Sequence, residues 1–295
     1  MRYKIFILFF CALVVFSISV APVAAATKEE QIQVLQEQIK KLQALLSQLQ
    51  LQPGPQNQVA AGSYLAMDIS SGSIISEKNS GKTYPIASIT KLMNAVITKE
   101  NTNLDKTIML TRDMLRPEGH SPSLFLNLEV SAKNLLKAML MQSTNDAAQS
   151  LSYGIGNDKF IELMNQKTSD LGMQNTHFYD VHGLNPKNHS TASDLAKLIT
   201  YIYKNHPDLL AITKTDDFWL PDPTGKLLKF KNVNNFHDSK DFIGGKTGYL
   251  PEARQTMAAL FNINEKPTAI IVLYSKNRQT DILKIIEGIK KERGD

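Results

Sequence analysis

The chain has 295 residues, 42% of them hydrophobic and 21% charged, the balance of a folded globular protein rather than a disordered one. Lys and Arg number 33 against 28 Asp and Glu, a net +5 without any basic run of five, which excludes a dedicated nucleic-acid binder. A single cysteine excludes a disulfide scaffold and a cysteine-built zinc site.

Arg2 and Lys4 precede an uncharged apolar stretch, Ile5 to Val20, that closes in Ala21-Pro22-Val23-Ala24-Ala25-Ala26. A short positive region, an apolar core and a small-residue end predict a secretory signal peptide over 1–26. No charge follows until Lys28, so an uncleaved membrane anchor over 5–26 is the second reading. Cys11 lies inside the apolar stretch after Phe9-Phe10, not at a lipid-acceptor position, and cleavage removes it. Under either reading the remaining chain works outside the cytoplasm, in the periplasm or cell envelope.

Residues 27–52 are rich in Gln, Glu, Lys and Leu, and Ile32, Leu35, Ile39, Leu42, Leu46 and Leu49 alternate spacings of three and four. That is the a/d repeat of a coiled coil, with Ile at two a positions and Leu at d favouring two parallel strands. Three heptads are marginal alone, so the segment reads as a weak homodimer contact through 32–49 or as a solvated helical stalk. Pro53-Gly54-Pro55 stops the helix and opens a linker over 53–58.

The domain proper is expected over 59–295. Residues 64–69, 70–73 and 74–76 read as strand, turn, strand. A long middle section, Ile89 to Tyr203, reads as helices broken by Gly, Pro and Asn, with Pro85 marking a helix start. Strands return around 244–246, 256–261 and 269–274, and a helix follows over 280–291. Strands at both ends with helices between predict an α+β fold, helices packed on an antiparallel sheet with an inserted helical region.

Three short motifs carry chemistry. In Ser88-Ile89-Thr90-Lys91, Ser and Lys stand three apart, one helical turn from each other. A serine hydroxyl attacks only when a base takes its proton, and a desolvated lysine can be that base. Ser143-Thr144-Asn145 follows an apolar helix and offers a hydroxyl for proton relay and an amide for a substrate carbonyl. Gly244-Gly245-Lys246-Thr247-Gly248-Tyr249 reads as a strand carrying Lys246 and Thr247 toward a cleft, with glycine allowing close approach. A phosphate loop is excluded, because Lys240 stands where that motif needs its first Gly. Alone, each motif fits a plainer reading: an N-cap with a surface lysine, a helix cap before Asp146, a strand end.

In this order and spacing the three match the set of penicillin-recognising serine enzymes. The chain resembles the low-molecular-mass penicillin-binding proteins, the serine D-alanyl-D-alanine carboxypeptidases and endopeptidases of peptidase family S11 type. The resemblance runs from Tyr64 to Tyr274 and includes Pro85–Met93, Ser143–Ala148, Gly183-Leu184 with Ser190–Ala196, and the Lys-Thr-Gly strand. It implies a transpeptidase-like fold shared with serine β-lactamases. Ser88 would attack the D-Ala-D-Ala carbonyl, Lys91 would serve as base under the influence of Lys246, and Ser143 would pass the proton to the leaving amine. Asn145 would orient the substrate, Lys246, Thr247 and Gly248 would hold its carboxylate, and the N–H groups of Ser88 and Tyr249 would form the oxyanion hole. Peptidoglycan stem peptides are the implied substrate and β-lactams the implied inhibitors, with neither metal nor cofactor; the six histidines show no metal-ligand spacing.

Two readings compete with this one. A serine β-lactamase needs a carboxylate to drive water onto the acyl-enzyme, and 178–190 holds Asp180 but no Glu in that arrangement. A non-catalytic penicillin-binding wall sensor would keep the fold without turnover. The terminal D-Ala and the cross-link both stay open as the bond cleaved.

Overall fold

The computed structural model describes residues 28–51, 59–119, 121 and 123–292, and side chains of the first helix over 32–43. The expected signal segment, 1–26, and linker, 53–58, lie outside the described residues, as do the side chains of Leu46 and Leu49. The chain divides into two units, 1–57 and 58–295. In the first, α1 (Lys28–Leu51) is one continuous helix with Ile32, Leu35, Ile39 and Leu42 each more than half exposed.

The second unit is built on a five-stranded antiparallel sheet. Its strands are β1 (Ser63–Asp68), β2 (Ile74–Lys78), β9 (Phe242–Leu250), β10 (Arg254–Ile263) and β11 (Lys266–Ser275), in the order β2-β1-β11-β10-β9. The first and last strands in sequence meet in the middle, Leu65 opposite Ile271. β10 and β11 each carry an unbroken apolar run, Met257–Phe261 and Ala269–Leu273, because the sheet is covered on both faces there. Alternate residues go to different cores: Met257, Ala259, Phe261, Ile270 and Val272 pack under the last helix, α8 (Arg278–Glu292), through Ile282, Ile285 and Ile289. Each of those isoleucines stabilises by about 2–3 kcal/mol through burial.

Ala258, Leu260, Ala269, Ile271 and Leu273 face the helical body inserted between β2 and β9. That body comprises α2 (Thr90–Asn101), α3 (Ala132–Met141), α4 (Asn145–Tyr153), α5 (Asn157–Asp170), α6 (Ala192–Asn205) and α7 (Pro207–Lys214). At its centre α2 is buried all round from Thr90 to Thr98. Its polar side chains survive there because they are bonded: Asn94 Nδ2 donates to the carbonyls of Val181 at 2.9 Å and Ala148 at 3.2 Å.

The structure departs from the sequence reading at three points. Pro85 does not begin a helix; it lies in a two-residue strand, β3 (Tyr84–Pro85), opposite His189 of β6 (His189–Ser190). A 3-10 turn, Ala87–Ile89, then leads into α2. The middle section also holds β4 (Thr107–Met109) paired with β5 (Glu129–Ser131), and beyond it a hairpin, β7 (Asp217–Pro221) with β8 (Leu227–Lys231), that the reading had passed over.

Candidate active site

Three segments converge: the 3-10 turn before α2, the α3–α4 junction and the outer strand β9. Ser88 sits half-buried on the turn, and the first turn of α2 brings Lys91 beneath it. Lys91 Nζ lies 3.0 Å from Ser88 Oγ, 2.7 Å from Asn145 Oδ1 and 2.5 Å from the His182 carbonyl oxygen. Lys91 is 0% exposed, and that burial pulls its pKa from 10.5 to about 7, against the opposing pull of the Asp180 charge. Burial is thus the leading cause, as expected of a desolvated lysine, and the leading charge beside it is that of Asp180 rather than Lys246.

Asn145, the first residue of α4, fixes the pair from the other side. Its carbonyl faces Lys91 while its Nδ2 donates to the Glu118 carbonyl at 2.5 Å. Ser143 precedes it in a left-handed conformation, φ 63°, which turns the chain sharply into the helix. Its hydroxyl accepts from Lys246 Nζ at 2.8 Å, and that ammonium also donates to the Thr247 carbonyl at 2.9 Å. Lys246 is 2% exposed; burial first, then the charges of Lys91 and Arg278, hold its pKa well below the ordinary value. The charge of Lys91 disfavours a second charge on Lys246, so the buried pair favours one positive charge over two.

β9 is tied to the Ser88 turn by its neighbour. Thr256, opposite Gly248 in β10, donates through Oγ1 to the Ile86 carbonyl at 3.0 Å. Gly248 is required here, since a Cβ would come 2.9 Å from the Ser88 nitrogen and 2.6 Å from Thr256 Oγ1. Thr247 is buried, whereas the Tyr249 side chain is 64% exposed, so any role of that residue at the site falls to its backbone. Every residue singled out from the three motifs therefore belongs to one cluster or to the strand beside it.

Arg278 was missed. It opens α8, directly after β11, and its Nη1 donates to the Gly248 carbonyl at 3.0 Å. No sequence pattern links it to the Lys-Thr-Gly strand; only the antiparallel return of β11 brings it there. The loop 180–188 was also underestimated, because it supplies the carbonyl that Lys91 meets. No cluster of three or more metal-ligating side chains occurs among the described residues.

A serine with a buried, near-neutral lysine at its hydroxyl, under an outer strand carrying Lys-Thr-Gly, defines a serine acyl-transfer enzyme of the penicillin-recognising class. The Peptidase S11 family, described as D-alanyl-D-alanine carboxypeptidase, matches residues 49–277, and the chain belongs to that family. It is 34% identical to a D-alanyl-D-alanine endopeptidase of Escherichia coli over 76% of this chain and 74% of that protein. It is 36% identical to a D-alanyl-D-alanine endopeptidase of Haemophilus influenzae over 65% of this chain and 68% of that one. Among solved structures, the Streptomyces K15 DD-transpeptidase superposes with a TM-score of 0.73 at 26% identity, covering 80% of this chain and 98% of that one.

Proposed function

We propose that this chain is a serine DD-peptidase that cleaves D-Ala-D-Ala or D-Ala-linked cross-link bonds of peptidoglycan through an acyl-enzyme, and that β-lactams block it. The observation that carries the reading is the Lys91 amine, buried and near-neutral, at 3.0 Å from Ser88 Oγ. A neutral amine has two N–H donors and one lone pair. Asn145 Oδ1 and the His182 carbonyl take the two donors, which leaves the lone pair for the Ser88 hydroxyl proton.

In this mechanism Lys91 removes that proton as Ser88 Oγ attacks the carbonyl carbon of the scissile bond. Negative charge on the carbonyl oxygen meets the N–H groups of Ser88 and Tyr249. The C–N bond then breaks; Ser143 gives its hydroxyl proton to the departing amine and is reprotonated through Lys246, which donates to its oxygen. Lys246, Thr247 and, behind Gly248, Arg278 form a positive end for the substrate carboxylate. Water releases the acyl group from Ser88 in the last step.

The endopeptidase names of the two relatives support including the cross-link among the substrates. The β-lactamase reading loses ground, because both Asp180 oxygens are engaged by N–H groups of its own loop. Ser88→Ala should abolish covalent labelling by a fluorescent penicillin while the protein stays folded; labelling that persists refutes the assignment. Mass analysis of digested peptidoglycan names the bond.

Residues 1–26 would deliver the chain across the cytoplasmic membrane, or 5–26 would anchor it there, and N-terminal sequencing of the mature protein separates the two. The exposed apolar row of α1 supports a weak homodimer through 32–49. Sedimentation of chains with and without 27–52 tests it, and identical monomers leave a stalk.

A further inference from the structure

The loop from Asp180 to Asn188 is a closed hydrogen-bond system that touches the reacting pair twice. Asp180 Oδ1 accepts from the N–H groups of His182 at 3.1 Å and Gly183 at 2.6 Å and from Asn188 Nδ2 at 2.9 Å. Its Oδ2 accepts from the Asn185 N–H at 2.5 Å and faces His182 Nδ1 at 3.3 Å. Asn188, wholly buried, returns the link: its Oδ1 accepts from the N–H groups of Tyr179 and Asp180, and its Nδ2 reaches Thr90 Oγ1 on α2 at 3.1 Å. One carboxylate thus gathers four donors, more than a turn needs to close.

That gathering sets two backbone groups against the chemistry. The His182 carbonyl is one of the two acceptors that aim the Lys91 amine. Gly183, at φ 88°, lies so close to the Ser88 turn that a Cβ would come 2.1 Å from the Ala87 carbonyl oxygen and 3.0 Å from the Ser88 nitrogen. Neither group can move without moving the lone pair of Lys91 or the peptide that carries Ser88.

We propose that Asp180 is a positioning residue for acylation, its carboxylate holding the 182–183 backbone so that Lys91 presents its lone pair to Ser88, and its charge tuning that amine across the loop. Resting on the proposed function, this names a second influence, after burial, on the basicity of its general base. The charge opposes the burial: Asp180 favours the protonated amine and so keeps the base strong enough to take the Ser88 proton, while burial favours the neutral form that can accept it. The other groups facing Lys91 from the packed elements are His182 on the same loop, Lys246 on β9 and, beyond it, Arg278 on α8. Asp180 itself is held down to about 2, so it stays charged through the working range.

The test is the pH profile of acylation by a fluorescent penicillin in the full-length protein, comparing the original with Asp180→Asn and Asp180→Glu. Asp180→Asn should lower the plateau rate about 10-fold or more, and shift the acid limb to lower pH by about half a unit to one unit. Asp180→Glu keeps the charge but displaces it by a methylene, so its plateau should fall while its acid limb stays in place. A purely structural residue would lower plateau and melting temperature together and leave the limb unmoved in both variants. An unmoved limb in folded Asp180→Asn overturns the proposal, and so does an unchanged plateau in Asp180→Glu, which serves alone if Asp180→Asn does not fold. Normal acylation with slowed release of the penicilloyl group would make Asp180 a hydrolytic base instead and also overturn it. Failure of the peptidase reading shows separately, as an original protein that acquires no label at Ser88.

Discussion

Replacing Lys91 with Met keeps the volume and the buried stem while removing the titrating amine. In the folded protein that amine ionises near pH 7, against 10.5 for an ordinary lysine. At about 1.4 kcal/mol per pH unit, bringing a charged Lys91 into this site costs about 5 kcal/mol. Met avoids that cost but leaves Asn145 Oδ1 and the His182 carbonyl without their donor, a loss of about 1–3 kcal/mol each. The two effects nearly cancel, so the stability change at one pH decides little. Its pH dependence decides more. A depressed folded pKa contributes stability that is complete above the unfolded value and lost as pH falls toward the folded one. The original protein should therefore gain about 3 kcal/mol from this group between pH 6 and pH 9, and Lys91→Met should not. Urea unfolding of both proteins at pH 6, 7, 8 and 9 measures the difference, which should shift steadily in favour of the original as pH rises. Parallel stability curves would mean that Lys91 is not buried with a lowered pKa, and the general-base argument would fall with it. Acylation by Lys91→Met should drop at least ~10²-fold at every pH.

Lys246→Ala should weaken β-lactam binding and acylation together, because the ammonium holds the Ser143 hydroxyl as well as the carboxylate end; pre-steady-state labelling separates the two constants. Gly183→Ala forces a Cβ against the Ala87 carbonyl in a left-handed conformation, so acylation should fall by ~10-fold or more while the helical body remains folded by circular dichroism. With a chromogenic cephalosporin the original protein should consume about one equivalent per Ser88 and then stop, since the opened lactam stays tethered; rapid multiple turnover in a stopped-flow trace refutes this.

The parts of the site written as local pattern were legible in the sequence. Ser88 and Lys91 lie one turn apart, Ser143 and Asn145 flank a helix start, and Lys246-Thr247 lie on a strand; each geometry follows from neighbours in the chain. The same holds for β10 and β11, whose apolar runs are unmistakable. What escaped was set by distant partners. Pro85 has a backbone angle that serves a helix start or an edge strand, and the choice is made by His189, a pairing no local window contains. The hairpin around Asp222 alternates correctly in Phe218, Leu220, Leu228 and Phe230, yet Trp219 and Leu227 face outward and blur the pattern. Arg278 and the Asp180–Asn188 network depend wholly on where the sheet and loop arrive.

The meeting of β1 and β11 at the centre of the sheet also governs the order in which the protein can come into being. Leu65 and Ile271 stand side by side with almost the whole domain strung between them. A chain that emerges from its N-terminus can place Lys91 against Asn145 and His182 before β9 to β11 appear, but the turn that carries Ser88 still lacks its bond from Thr256. Lys246 and Gly248 lack their strand partner until β10 exists to pair with β9, and β10 in turn pairs with β11. Such long-range closure is slow, and a truncated or still-emerging chain carries a nucleophile without a carboxylate clamp. On the proposed mechanism, acylation therefore waits until the last strand of the sheet has been made and set in place.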